Sequence, residues 1–123
     1  VKEHNIFVRE DENLFAGIPI AMVDAAVGGS IDVPTIDGGK ARLKIPQGTQ
    51  SGDQFRLKSK GMPHVRGGHF GDMYIQAKVE TPTNLNKKQT EILKSFQEIS
   101  SEKETPLSSA FFNKAKEFWK SKK

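Results

Sequence analysis

The chain has 123 residues, 35% of them apolar, with 19 basic against 15 acidic side chains and no cysteine. That length suits one domain with a modest core. The absence of cysteine excludes disulfides, thiol catalysis and most structural zinc sites, and fits a reducing compartment. No apolar run approaches the roughly 18 residues of a membrane span, and no signal peptide is visible. The start at Val1 reads as a fragment or a processed product.

Charge is unevenly spread. Residues 1–37 hold Lys2 and Arg9 against seven acids, and residues 38–66 hold seven bases against Asp53. The tail sets Lys114, Lys116, Lys120, Lys122 and Lys123 against Glu117 alone. Solvated faces and a basic end account for this pattern. A nucleic-acid patch wants aromatics among the bases, and only Phe55 lies there, with Tyr74 beyond them.

The first two-thirds read as strands. Ile6-Phe7-Val8 is a short apolar run. Leu14 to Met22 is a second, and Pro19 inside it argues for an edge strand or a bulge. Asp24 to Val27 can form one helical turn stopped by Gly28-Gly29. Ile31 and Val33 alternate with polar residues, and Asp37-Gly38-Gly39 looks like a hairpin turn. Ala41, Leu43 and Ile45 alternate with Lys40, Arg42 and Lys44. Glycines then punctuate residues 48–71 around the strand-like Phe55-Arg56-Leu57-Lys58, marking turns or close backbone approaches. Met73, Ile75, Ala77 and Val79 alternate with Tyr74, Gln76, Lys78 and Glu80, which puts one set on a packed face and the other in water. About six short strands predict a mainly β fold, a small sandwich or partly open barrel.

After Thr81-Pro82 the period changes. Asn86 with Gln89 has capping-box spacing, and Ile92, Leu93, Phe96 and Ile99 form one helical stripe. Residues 100–106 read as a polar linker. A last helix follows over 107–120, capped by Ser108 or Ser109, with Phe111, Phe112, Ala115, Phe118 and Trp119 on one side. Such a stripe needs cover. It can fold back on its own sheet, pack against its twin in a second chain, or lie on a membrane surface.

Together these segments resemble the C-terminal part of a DnaJ-type (J-domain) co-chaperone. The matching stretches are His4-Asn5-Ile6-Phe7-Val8-Arg9, Ala25-Ala26-Val27-Gly28-Gly29, Ile31-Asp32-Val33-Pro34-Thr35, and Leu43-Lys44-Ile45-Pro46-Gln47-Gly48-Thr49-Gln50. They continue with Phe55 to Gly61, Arg66-Gly67-Gly68, Gly71-Asp72 and Glu80-Thr81-Pro82, and end with Ser109-Ala110-Phe111-Phe112 and Phe118. The resemblance implies a second peptide-binding β-domain over 1–82 and C-terminal helices over 83–123 that end in a dimerisation helix. Neither a His-Pro-Asp tripeptide nor Cys-x-x-Cys-x-Gly-x-Gly repeats occur. The J-domain and the zinc module are therefore missing from this chain. The resemblance implies that the family's first β-domain, with its best-defined peptide pocket, lies upstream of Val1, and a parent with or without zinc stays open.

The implied function is non-enzymatic. A cytoplasmic parent binds unfolded client polypeptide, homodimerises, and hands the client to a DnaK-class ATP-dependent chaperone, in protein folding and the stress response. Ile18, Ile20, Val33 and Phe55 are the candidate client contacts; ordinary core packing is the other reading of all four. Leu107, Phe111, Phe112, Ala115, Phe118 and Trp119 are the candidate dimer contacts. No cofactor, nucleic acid or membrane is expected for this fragment. His4, His64 and His69 are too scattered for a metal site, and His64, Arg66 and His69 fit a loop. The alternatives are a spacer and dimer clamp without its own client site, or a basic nucleic-acid-binding β-barrel.

Overall fold

The computed structural model describes residues 6–63 and 67–122. His4, Asn5, His64 and Arg66 lie outside them. The chain divides into two compact units, Val1–Pro82 and Thr83–Lys123.

The first unit contains β1 (Val8–Glu10), β2 (Asn13–Ala21), α1 (Met22–Val27), β3 (Gly29–Pro34), β4 (Lys40–Ile45), β5 (Gln54–Leu57) and β6 (Met73–Glu80). They form two sheets, ordered β1-β2-β6-β5 and β3-β4, and no closed barrel. The antiparallel pairs β1–β2 and β3–β4 are the kind that short turns produce, and β5–β6 is antiparallel across the longer loop 58–72. The pair at the centre of the larger sheet is different. β2 and β6 run parallel, from Leu14↔Met73 to Ala21↔Glu80. Everything from α1 to β5 is the crossover between them.

Period-2 alternation builds the core. Leu14, Ala16 and Ile20 of β2 and Met73, Ile75 and Ala77 of β6 are buried, and they join Val33, Leu43 and Ile45 of the smaller sheet and Ala25 of α1 in one cluster. Phe7 is also buried, while its neighbours Ile6 and Val8 are exposed. The Ile6-Phe7-Val8 triplet is therefore mostly lead-in, and the strand proper starts at Val8. The helical turn ends as its glycines require. Gly28 takes φ 82°, and the N–H groups of Gly48 and Thr49 donate to the Ala25 carbonyl. The 35–39 turn closes through Gly38 N–H to Thr35 O and Thr35 N–H to Gly39 O, each 3.0 Å.

The glycine-rich loop before β6 is a close-packed junction. Met62 N–H donates to Glu12 O at 2.7 Å, Gly71 N–H to Met62 O at 2.8 Å, and Gly61 N–H to Gly71 O at 2.9 Å. Gly61 and Gly71 are buried. A Cβ on Gly61 would lie 2.5 Å from Glu12 O, and one on Gly71 would overlap that same carbonyl. These two glycines exist so that the β1–β2 turn can rest on this loop.

The second unit contains α2 (Lys87–Ile99) and α3 (Pro106–Ser121). The capping box forms as the spacing predicts: Gln89 N–H donates to Asn86 Oδ1 at 2.8 Å and Asn86 N–H to Gln89 Oε1 at 3.0 Å. The last helix starts earlier than serine capping predicts. Thr105 is its N-cap residue, without a side-chain bond, and Pro106 opens the helix. Proline's fixed φ suits that position, and its missing N–H is lost at no cost there. Ser108 and Ser109 lie inside the first turn.

Gly71→Ala should destabilise the β unit by about 1–3 kcal/mol, because the new methyl meets backbone that cannot turn away. Gly29→Ala, where the added atom meets open space, should change little. Equal thermal midpoints for the two variants would contradict the junction described here.

Candidate functional site

Two surfaces stand out: one side of β2 and one side of α3. Leu14 N–H donates to Asp72 O at 3.0 Å. Strand alternation then turns the backbone groups of Leu14, Ala16, Ile18 and Ile20 toward β6, and those of Phe15, Gly17, Pro19 and Ala21 the other way. β1 meets that other side only as far as Phe15. Among the described residues no strand pairs with it from Gly17 to Ala21, and Gly17, Pro19 and Ala21 are exposed. Among the described residues, β2 therefore has two strand neighbours at its start and only β6 at its end. Pro19, which has no N–H to offer, sits on the open side, where proline is tolerated.

Of the four residues singled out for client contact, Ile20 and Val33 are 2% and 1% exposed and belong to the core. Ile18 and Phe55 are half-buried and pack against its margin. Ile18, Ile20 and Phe55 share the inner face of the larger sheet, and Val33 comes from the smaller one.

The outer face of the larger sheet holds residues that the sequence reading passed over. Phe15 and Tyr74, register partners across β2–β6, stack with ring centroids 5.2 Å apart and planes 16° apart. One row on, Lys78 lies over Gly17. The available signal was an aromatic at a water-facing position in each of two strands.

Asp72 joins three segments at one end of this face. Its carboxylate accepts from Arg56 Nε at 2.7 Å, from Ser59 N–H at 3.0 Å, and pairs with Arg56 Nη2 at 2.6 Å. Its own N–H donates to Asn13 Oδ1 at 2.9 Å. The Ser59 N–H and then the Arg56 guanidinium hold its carboxyl below the usual 3.8, against partial desolvation. In the 35–39 turn, Asp37 is likewise lowered, first by the Thr35 hydroxyl and then by the Gly39 N–H. The Asp72 carboxylate ties separate segments together, and the Asp37 carboxylate closes its own turn.

On α3, Phe111, Phe112, Ala115, Phe118 and Trp119 line one apolar groove together with Lys114. Phe111 and Phe112 meet edge to face at 5.1 Å, and Lys122 Nζ lies 5.6 Å from the Phe118 ring centre. Trp119 is 60% exposed and Leu107 82%. No residue of α2 or α3 is buried. Among the described residues, no group of three or more His, Cys, Asp or Glu could hold a metal ion, and no helix is long and apolar enough to cross a membrane.

Comparison with known proteins decides the family. The family model for the DnaJ C terminal domain matches residues 1–82, and that for the chaperone protein DnaJ C-terminal region matches residues 88–121. The chain belongs to the DnaJ C-terminal domain family. Chaperone protein DnaJ of Pelagibacter ubique is 56% identical over 120 residues, which cover 98% of this chain and 32% of that protein. The Roseobacter denitrificans protein of the same name is 54% identical over 123 residues, 100% of this chain and 32% of its own length. That of Ruegeria sp. is 54% identical over 119 residues. The chain therefore spans about a third of the length of the relatives it matches.

The Asp72 ties give this module a defined acid response. A carboxyl held below its usual value contributes stability at pH above 3.8, and that contribution is lost as pH falls through the lowered value. Asp72→Asn should therefore unfold at lower urea than the parent chain at about pH 7, and the gap should narrow as the pH falls below 3.8 and through the lowered value. A gap of the same size at both pH values would contradict this role.

Proposed function

We propose that the β unit binds extended segments of unfolded client polypeptide by strand addition to the open side of β2, from Gly17 to Ala21. The observation that carries this reading is a strand side with no strand partner among the described residues, beside a well-packed core. Backbone bonds to the edge supply affinity without demanding a sequence, which suits a binder of many clients. Ile18, on β2 at the core margin, offers apolar contact to client side chains on the inner face, and Ile20 and Val33 support the surface from the core. Phe55, on β5 with β6 between it and β2, lies too far from this side to touch the added strand. The domain boundary in this reading falls near residue 82, with the β unit as binding module and the helices as assembly module.

The same reading makes α3 a dimerisation helix, through Leu107, Phe111, Phe112, Ala115, Phe118 and Trp119. Burying each large aromatic is worth roughly 1.5–3 kcal/mol, so a few of them suit a useful dimer. Two tethered β units then hold one client with an effective concentration on the order of mM, and avidity gains of about 10² or more follow. The module carries out no bond chemistry. In the parent protein the client passes to a DnaK-class chaperone in the cytoplasm, and any zinc module lies outside this segment.

The test is a fluorescence anisotropy titration of a labelled, extended, apolar-rich peptide at two salt concentrations. Saturable binding that salt barely changes is expected. Ala21→Pro should weaken it about five-fold, the worth of one backbone hydrogen bond. Ala21 already has φ −59°, so proline fits there and removes only the outward N–H. Absence of binding at high concentration would leave a spacer and dimer clamp, and affinity that collapses with salt would favour a nucleic-acid binder.

For the helix, Phe112→Ala combined with Phe118→Ala should convert dimers to monomers in light scattering. An unchanged dimer mass would remove α3 from the interface.

A further inference from the structure

The outer face beside the open side of β2 is not neutral. Lys78 of β6 is the register partner of Pro19, yet its side chain lies across β2 over Gly17. A Cβ on Gly17 would sit 2.7 Å from Lys78 Cε and 3.0 Å from Nζ. Only the missing side chain of glycine opens that path. The ammonium is thereby brought over the strand that carries the open side, instead of standing over its own.

Other charges on this face are placed differently. Arg56 is occupied by the Asp72 carboxylate through two nitrogens. Glu80 pairs in register with Ala21. Among the described residues the salt bridges are Arg42–Asp32 and Arg56–Asp72, so Lys78 has no carboxylate partner there.

A strand added to β2 would lie about 4.8 Å beyond it. Its residue opposite Gly17 would project to the same outer face, with Cβ atoms about 4.5–5.5 Å apart for an ordinary pair. A flexible four-carbon stem lets the lysine ammonium cover that distance.

Resting on the strand-addition reading above, we infer that Lys78, laid across Gly17, selects client segments with Asp or Glu at outward positions of the added strand. Apolar residues at the alternate positions face the core margin. The preferred client is then an amphipathic, acidic, extended segment rather than a uniformly apolar one. The Gly17–Lys78 pair sets this preference, and the open backbone of β2 supplies the common affinity.

Two labelled peptides test it, both alternating in pattern, with valine and isoleucine at inward positions. One carries glutamate at every outward position and the other glutamine, so the comparison holds in any register. The intact chain should bind the glutamate peptide about two- to five-fold more tightly at low salt, the size of an exposed ion pair, and the ratio should shrink as salt rises. Lys78→Gln should bring the ratio to about one, and Lys78→Glu should invert it. A ratio near one in the parent chain, or a ratio kept in Lys78→Gln, overturns the inference while leaving edge binding in place. No binding of either peptide overturns the edge-binding reading itself, and this inference with it.

Discussion

The rest of the β unit depends on a parallel pairing between strands 59 residues apart in the chain. The Asp72 N–H to Asn13 Oδ1 bond and the Leu14 N–H to Asp72 O bond start that ladder, and Leu14↔Met73 sets its register. A slip of one residue would turn Leu14, Ala16 and Ile20 out of the core. Closing so long a crossover is entropically costly, and the junction is accordingly over-determined. The Asp72 carboxylate ties β5 and Ser59 to the same point, and the buried glycines at 61 and 71 let the β1–β2 turn settle onto it.

That constraint also makes the open side of β2. Because β6 takes the even-numbered backbone groups of residues 14–20, and β1 ends opposite Phe15, the odd-numbered groups from 17 onward have no strand partner among the described residues. The core holds the edge in place from one face. The other face carries the Phe15–Tyr74 stack and the lysine over Gly17. In the proposed reading, an edge with different chemistry on its two faces grips many extended chains and still ranks them. A dimer of such edges would add reach without adding contacts.

Much of this was legible in the residues. Alternation gave the inward sets of β4 and β6, Asn86 and Gln89 gave the start of α2, and the pair Gly28-Gly29 gave the end of α1. Pro19 pointed to an edge, which is half of what β2 is. The sheet order was not legible, because local patterning describes which face a strand buries and not which distant strand it meets. Nor was the Lys78–Gly17 crossing, since a glycine in a strand and a lysine on a wet face are each unremarkable until the register brings them together. The reading over 107–120 located α3 to within a residue at each end, but the two serines taken as caps lie inside the first turn that Pro106 opens. Residues such as Ile20 and Val33 show the remaining ambiguity: an apolar residue on a strand looks the same in sequence whether it supports a binding surface or forms one.

The central claim is that β2 offers an unpaired side from Gly17 to Ala21 while its other side is locked to β6. Residue-resolved amide hydrogen exchange on the native chain tests it directly. Ala16, Ile18 and Ile20 should exchange slowly, and Gly17 and Ala21 quickly, an alternation that only a one-sided strand produces. Uniform protection from residue 16 to residue 21 would mean that another segment already covers this side, and would contradict the account.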